Sequence, residues 1–131
     1  MNVQSVAVTG GNGALGRAVV QDLTGCARVR AIDIKPGAAG VRSRYADILE
    51  PEALLMALEG HDAVVHIAAM LQPGDPPKQM FQTNVLGTWN LLHTAEALRI
   101  RKVVLISSEC ASGIININRM PQVCLTSEVL K

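Results

Sequence analysis

Thr9-Gly10-Gly11-Asn12-Gly13-Ala14-Leu15-Gly16 is the stretch on which the reading of this chain turns. It follows a β-branched run, Val3 to Val8, and leads into Ala14, Leu15, Ala18, Val19 and Leu23, which repeat as one face of a helix. A GxxGxxG string alone is weak evidence, but its place between a strand and a helix gives it a mechanism. Glycines at 10, 13 and 16 permit a tight turn, a close approach of backbone to a pyrophosphate and close helix–strand packing, while the helix N-terminus offers free N–H groups to an anion. The alternative is a glycine turn with no ligand.

Outward from this turn, short β-branched runs alternate with longer stretches of helical spacing, the pattern of βαβ units around a parallel sheet. Gly25 is expected to cap the first helix. A second strand runs from Arg28 to Ile34, and Lys35 to Gly40 reads as a loop. Ser43 to Ala46 is a short third strand. Pro51 opens a helix with Ala53, Leu54, Ala57 and Leu58 inward, ending at Gly60. Ala63 to Ile67 is the fourth strand. After a proline-rich loop, Phe81, Val85, Trp89, Leu92 and Leu98 mark a long helix reaching about Arg99, with Trp89 and the methionines in the core. Val103 to Ile106, apolar on both faces, reads as a fifth strand sandwiched between helix layers. The fold class is therefore α/β, a doubly wound, Rossmann-like parallel sheet of about five strands in the order 3-2-1-4-5 with helices on both faces. Residues 1–113 are expected to form this domain and residues 114–131 a largely irregular tail. Ligands on such sheets bind at the carboxyl ends of the strands, where the winding reverses between strands one and four.

Composition narrows the function further. The 131 residues amount to one domain, and aromatics make up only 2% (Phe81, Trp89 and Tyr45), which argues against an aromatic platform for nucleic acid. A net charge of +1 is too balanced for binding to a phosphate polymer or an anionic membrane. Cys26, Cys110 and Cys124 are far apart and without zinc-like spacing, so they read as free thiols in a cytoplasmic chain, with no metal site. No apolar run is long enough to span a membrane.

Asp33 closes the second strand twenty residues after Gly13. A carboxylate there accepts hydrogen bonds from both ribose hydroxyls of an adenosine and repels a 2′-phosphate, so it favours NAD over NADP; Lys35 softens that exclusion. An ordinary turn aspartate is the competing reading.

Taken in order, these features resemble the extended short-chain dehydrogenase/reductase family, the NAD-dependent epimerases/dehydratases, over nearly the whole chain. Besides the glycine motif and Asp33, Asp47-Ile48 resembles the family's adenine-contacting pair, His66-Ile67-Ala68-Ala69 its H-x-A-A, and Asn84-Val85-Leu86-Gly87-Thr88 its N-x-x-G-T. Val104 to Ser108 resembles the end of strand five, and Gly113, five places on, aligns Ser108 with the catalytic serine. The resemblance implies NAD contacts from Gly10, Gly13, Ala14, Leu15, Gly16, Asp33, Ile34, Asp47, Ile48, Ala68, Ala69, Asn84 and Ser107, with Ser108 on the substrate oxygen. It implies a small polar substrate such as a nucleotide sugar, oxidoreductase or isomerase chemistry, and a homodimer through the 78–99 helix. Read as residues alone, Asp47 is equally a turn or N-cap group, Asn84 a backbone tether, Ser107 and Ser108 strand-end turn residues, and His66 a structural histidine.

The pattern breaks at the catalytic base. The family draws the proton from an alcohol with the tyrosine of a Y-x-x-x-K, whose pKa the lysine lowers. Here Tyr45 is followed four residues on by Leu49, on the wrong strand, and Lys131 is the last residue. The expectation is a piece of a longer enzyme ending just before the tyrosine helix, able to bind NAD and inactive alone. The alternative is a non-catalytic NAD-sensing or interaction module.

Overall fold

The computed structural model describes residues 3–72 and 74–108. In chain order they form β1 (Ser5–Thr9), α1 (Ala14–Thr24), β2 (Arg28–Asp33), β3 (Ser43–Tyr45), α2 (Pro51–Leu58), β4 (Ala63–His66), α3 (Pro77–Phe81), a π-helical stretch (Gln82–Gly87), α4 (Thr88–Ala97) and β5 (Lys102–Leu105). All strand pairs are parallel, in the order β3-β2-β1-β4-β5. This is the expected doubly wound sheet.

Its centre is β1, every residue of which is buried. Alternation along the strand divides the core into two layers. Val6 and Val8 face one layer with Val20, Val29 and Ala31, whereas Ala7 faces the other with Ile32, Leu54, Leu58, Val64 and Leu91. Thr9 is level with both Ile32 and His66, so the carboxyl ends of β1, β2 and β4 finish together. The glycine turn leaves from that rim, at the point where the winding reverses.

Several details differ from the sequence expectation. On α1 the buried residues are Gly16 and Val20, with Val19 and Leu23 half-buried, while Ala14, Leu15 and Ala18 are exposed. Packing of Gly16 on the glycine turn sets the rotation of the helix. Gly25 does stand at the C-cap of α1, though in right-handed backbone at φ −72° with its N–H donating to the Leu23 carbonyl, and Thr24 Oγ1 also ties the helix end by donating to the Val20 carbonyl at 2.6 Å.

The long helix begins at Pro77 and packs inward through the side that carries Gly87 and Leu91. Gly87, Leu91, Thr94 and Ala95 are buried, whereas Phe81, Val85, Trp89 and Leu92 lie on the outer face, Trp89 at 62% exposure. A Cβ on Gly87 would come within 2.5 Å of Ile48 Cδ1, so close packing of this helix over Ile48 selects its glycine side for the core. Met56 is exposed as well. β5 is not sandwiched among the described residues: Val104, Leu105 and Ile106 are about half exposed. The expected boundary at residue 113 and the tail 114–131 lie outside the described residues. No described helix is long and apolar enough to cross a membrane.

Candidate cofactor site

Gly10 leaves β1 with φ +69° and donates its N–H to the Ile32 carbonyl at 2.8 Å. A side chain is excluded twice over, by the left-handed backbone and by Ala68, whose amide nitrogen would lie 2.7 Å from an added Cβ. At Gly16 a Cβ would fall on the Gly10 carbonyl oxygen, with Gly11 Cα at 2.7 Å. Gly13 is different. As N-cap of α1 it has ordinary extended backbone, and an added Cβ would meet only Gly10 O, at 3.2 Å. The fold thus demands glycine at 10 and 16 more strictly than at 13, where an added Cβ would press only on the Gly10 carbonyl and the missing side chain keeps the backbone bare. No side chain caps α1, and its first turn carries no acid. An uncapped helix N-terminus behind a bare glycine fits an anion such as a diphosphate.

Asp33 ends β2 beside this turn. Its Oδ2 accepts the Asn12 N–H and its Oδ1 the Lys35 N–H, both at 2.9 Å, which leaves each oxygen with accepting capacity for a ribose hydroxyl. Ile34 next to it is exposed. The sequence reading passed over Asn12, which is 4% exposed and joins three segments. Its Nδ2 donates to the Lys35 carbonyl at 2.7 Å and to Ser43 Oγ at 2.9 Å, while its buried Oδ1 has no partner among the described residues. The available signal was an asparagine set between glycines, a residue type that ties turns with its own side chain.

Asp47 accepts the Leu49 N–H at 2.9 Å in an Asx-type turn, so its turn role is real. The Ile48 side chain is core, and its carbonyl accepts from Asn90 Nδ2 at 3.1 Å. Ala68 is half-buried and Ala69 exposed after β4. Asn84 does tether backbone: it accepts the Met70 N–H at 2.8 Å and donates Nδ2 to the Met70 carbonyl at 2.9 Å. His66 lies beneath, 4% exposed, with Nδ1 2.6 Å from Thr9 Oγ1 and Nε2 2.9 Å from Thr88 Oγ1. Burial pushes its pKa down to about 4, so the imidazole is neutral near pH 7.

Ser107 and Ser108 follow β5 in exposed positions. The Ile106 N–H donates to the His66 carbonyl at 3.0 Å, so the serines emerge beside the end of β4. Gly113 lies outside the described residues. The geometry therefore brings Gly10, Gly13, Gly16, Asp33, Ala68 and Asn84 to one rim, with Asp47 on the β3 side and the serines on the β5 side. No group of side chains among the described residues could hold a metal ion, and Cys26 is a free, exposed thiol.

The sequence pattern of the NAD dependent epimerase/dehydratase family matches residues 6–126. L-arabinose 1-dehydrogenase (NAD(P)(+)) of Haloferax volcanii is 34% identical over 112 residues, which cover 86% of this chain and 44% of that protein. A short-chain dehydrogenase/reductase superfamily protein from Agrobacterium tumefaciens, solved with bound NAD, is 36% identical with a TM-score of 0.73, over 80% of this chain and 33% of its own. MoeE5 in complex with UDP-glucose and NAD superimposes with a TM-score of 0.68 at 30% identity, over 80% and 36%. The chain thus spans less than half the length of these relatives. Glycine turn, Asp33, strand order and sequence pattern all agree, and the chain belongs to the NAD-dependent epimerase/dehydratase family.

Proposed function

We propose that this chain is the NAD-holding part of a dehydrogenase or epimerase/dehydratase that oxidises a hydroxyl on a sugar or nucleotide sugar. The observation that carries the reading is Gly13, bare and less crowded than Gly10 or Gly16, at the uncapped start of α1 with Asp33 beside the same turn. Gly10, Gly13, Ala14, Leu15 and Gly16 would hold the diphosphate, and Asp33 and Ile34 the adenosine ribose. Asp47 and the backbone at Ile48 would border the adenine. Ala68, Ala69, Asn84 and Ser107 would flank the nicotinamide side, and Ser108 would hydrogen-bond the substrate oxygen. When bound, NAD supplies the hydride acceptor.

Sugar substrates are supported by the arabinose and UDP-glucose in the names of the two relatives. Removing the hydroxyl proton needs a base, which Tyr45, 74% exposed on β3, is not placed to be. The chain alone should therefore bind NAD without turnover. A homodimer through α3 and α4 is supported by the exposed apolar stripe Phe81, Val85, Trp89 and Leu92. The same stripe favours the second reading, in which NAD occupancy steadies a module that docks on a partner.

Thermal unfolding with and without cofactor tests the shared base. NAD at a hundred times its Kd should stabilise the chain by about 2.7 kcal/mol, and NADP at the same concentration by less. No shift with millimolar NAD defeats both readings. NADH formation by this chain with L-arabinose or UDP-glucose defeats the prediction that it is inactive alone.

A further inference from the structure

The hydrogen bonds around His66 can run in only one direction. Thr88 Oγ1 donates its proton to the Asn84 carbonyl at 2.8 Å, so towards the imidazole it can only accept. Nε2, 2.9 Å away, must then carry the ring proton. Nδ1 is left bare and accepts the Thr9 hydroxyl proton at 2.6 Å. The result is a fully used chain, Thr9 to His66 to Thr88 to Asn84, in which every proton has one place.

What this chain holds is the rim of the site. Thr9 directly precedes Gly10, whose backbone rests on Ala68. Asn84, at the far end, grips Met70 by two backbone bonds. The glycine turn and the strap from Ala68 to Met70 are thus fastened to opposite nitrogens of one buried ring. The π-helical stretch Gln82–Gly87 lies in the same place. Insertions of this kind are rare, and here the wider turn accompanies an Asn84 side chain aimed at Met70 and a Thr88 hydroxyl aimed at both His66 and the Asn84 carbonyl.

We propose that His66 is a positioning residue for the cofactor: from its buried place it fixes the opening between the glycine turn and the strap at 68–70, and so sets the affinity for NAD. This rests on the NAD reading above. It assigns the role to the ring's hydrogen-bond directionality, with Thr88 as its second fastening.

Titration calorimetry with NAD on the 131-residue chain, wild type against Thr88→Val and Thr88→Ser, provides the test. Valine keeps the shape and removes the hydroxyl, leaving the Nε2 proton without its acceptor, a loss large enough to weaken NAD about tenfold. Serine restores the hydroxyl and should bind within about twofold of wild type. A folded Thr88→Val that binds NAD as tightly as wild type, with only its melting temperature lowered, means a purely structural role and overturns the proposal. Should Thr88→Val not fold, amide exchange in the wild type decides: saturating NAD should slow Gly10 and Met70 together, and unchanged exchange at Met70 overturns it. Ring nitrogen NMR of the NAD-free chain should show the Nε2–H tautomer of His66, and an Nδ1–H tautomer overturns the network. That last measurement stands even if wild type fails to bind NAD, so failure of the network and failure of the NAD reading are distinguishable.

Discussion

Gly10 and Ala68 touch backbone to backbone: a carbon added at Gly10 would lie 2.7 Å from the Ala68 nitrogen and 2.9 Å from its Cα. The turn after β1 is therefore seated on the segment after β4. The two strands on either side of the winding reversal deliver their ends to one place, and a dinucleotide laid across that place meets main chain on both sides. Small residues follow from this, because any side chain at Gly10 would part the two segments.

Gly13 and Gly16 should separate fold from binding. Gly16→Ala places a carbon on the Gly10 carbonyl and should cost about 1–3 kcal/mol or more, as overpacking does. Gly13→Ala has extended backbone and one tight contact, 3.2 Å to the Gly10 carbonyl oxygen, so it should cost less stability than Gly16→Ala, about 1 kcal/mol. Yet it fills the bare approach to the helix N-terminus and should weaken NAD about tenfold or more. Urea unfolding and NAD calorimetry on both variants check this. Tight NAD binding by Gly13→Ala would remove the diphosphate assignment.

Asp33→Asn should narrow the preference for NAD over NADP. The carboxylate holds the Asn12 and Lys35 amides as well as facing the ribose position, and the amide keeps one acceptor while losing the charge. NAD affinity should fall, NADP affinity should rise with loss of repulsion from its 2′-phosphate, and stability should drop by about 1–3 kcal/mol for the amide left unpaired. The ratio of the two dissociation constants is the measurement. An unchanged ratio would mean that the carboxylate serves the turn alone.

Much of this was legible in the sequence, for identifiable reasons. Strand order followed from alternation of elements, and the cofactor rim from glycines whose spacing has a steric meaning. Helix faces were harder to read. On α4 the largest apolar residues suggested the inward face, but Gly87 must approach Ile48, and that contact rotates Trp89 to the outside. On α1 Gly16 overruled Leu15 in the same way. Asn12 escaped notice because its partners, Lys35 and Ser43, are distant in sequence. In each case a contact between remote segments overruled a local pattern.

The outward stripe makes the dimer testable. Phe81, Val85, Trp89 and Leu92 are 58%, 49%, 62% and 40% exposed, and a contiguous apolar patch of this kind is a common mark of an interface. Sedimentation should show wild-type dimers. Phe81→Glu with Trp89→Glu should give monomers with the NAD-induced rise in melting temperature retained, because neither side chain belongs to the cofactor rim. Monomeric wild type at tens of micromolar would remove the proposed dimer.

Acid should destabilise the fold through His66 before it reaches the carboxylates. The folded pKa is pushed down to about 4 from an ordinary 6.5, so both states are neutral well above pH 6.5 and the ring contributes no pH dependence there. Between 6.5 and 4 the unfolded chain takes up a proton that the folded chain refuses, and stability falls as pH falls. The full shift corresponds to about 3 kcal/mol. His61, held below its ordinary value first by burial, acts in the same direction. Asp62, lowered by the amides of Gln4 and Ser5, loses its contribution only as pH falls through its own depressed pKa, below this window. Urea unfolding at pH 7 and pH 4.5 should therefore show a steep loss in wild type and in His61→Gln, and a much shallower one in His66→Gln, whose side chain does not titrate. Equal losses in all three would mean that His66 takes its proton freely in the folded state.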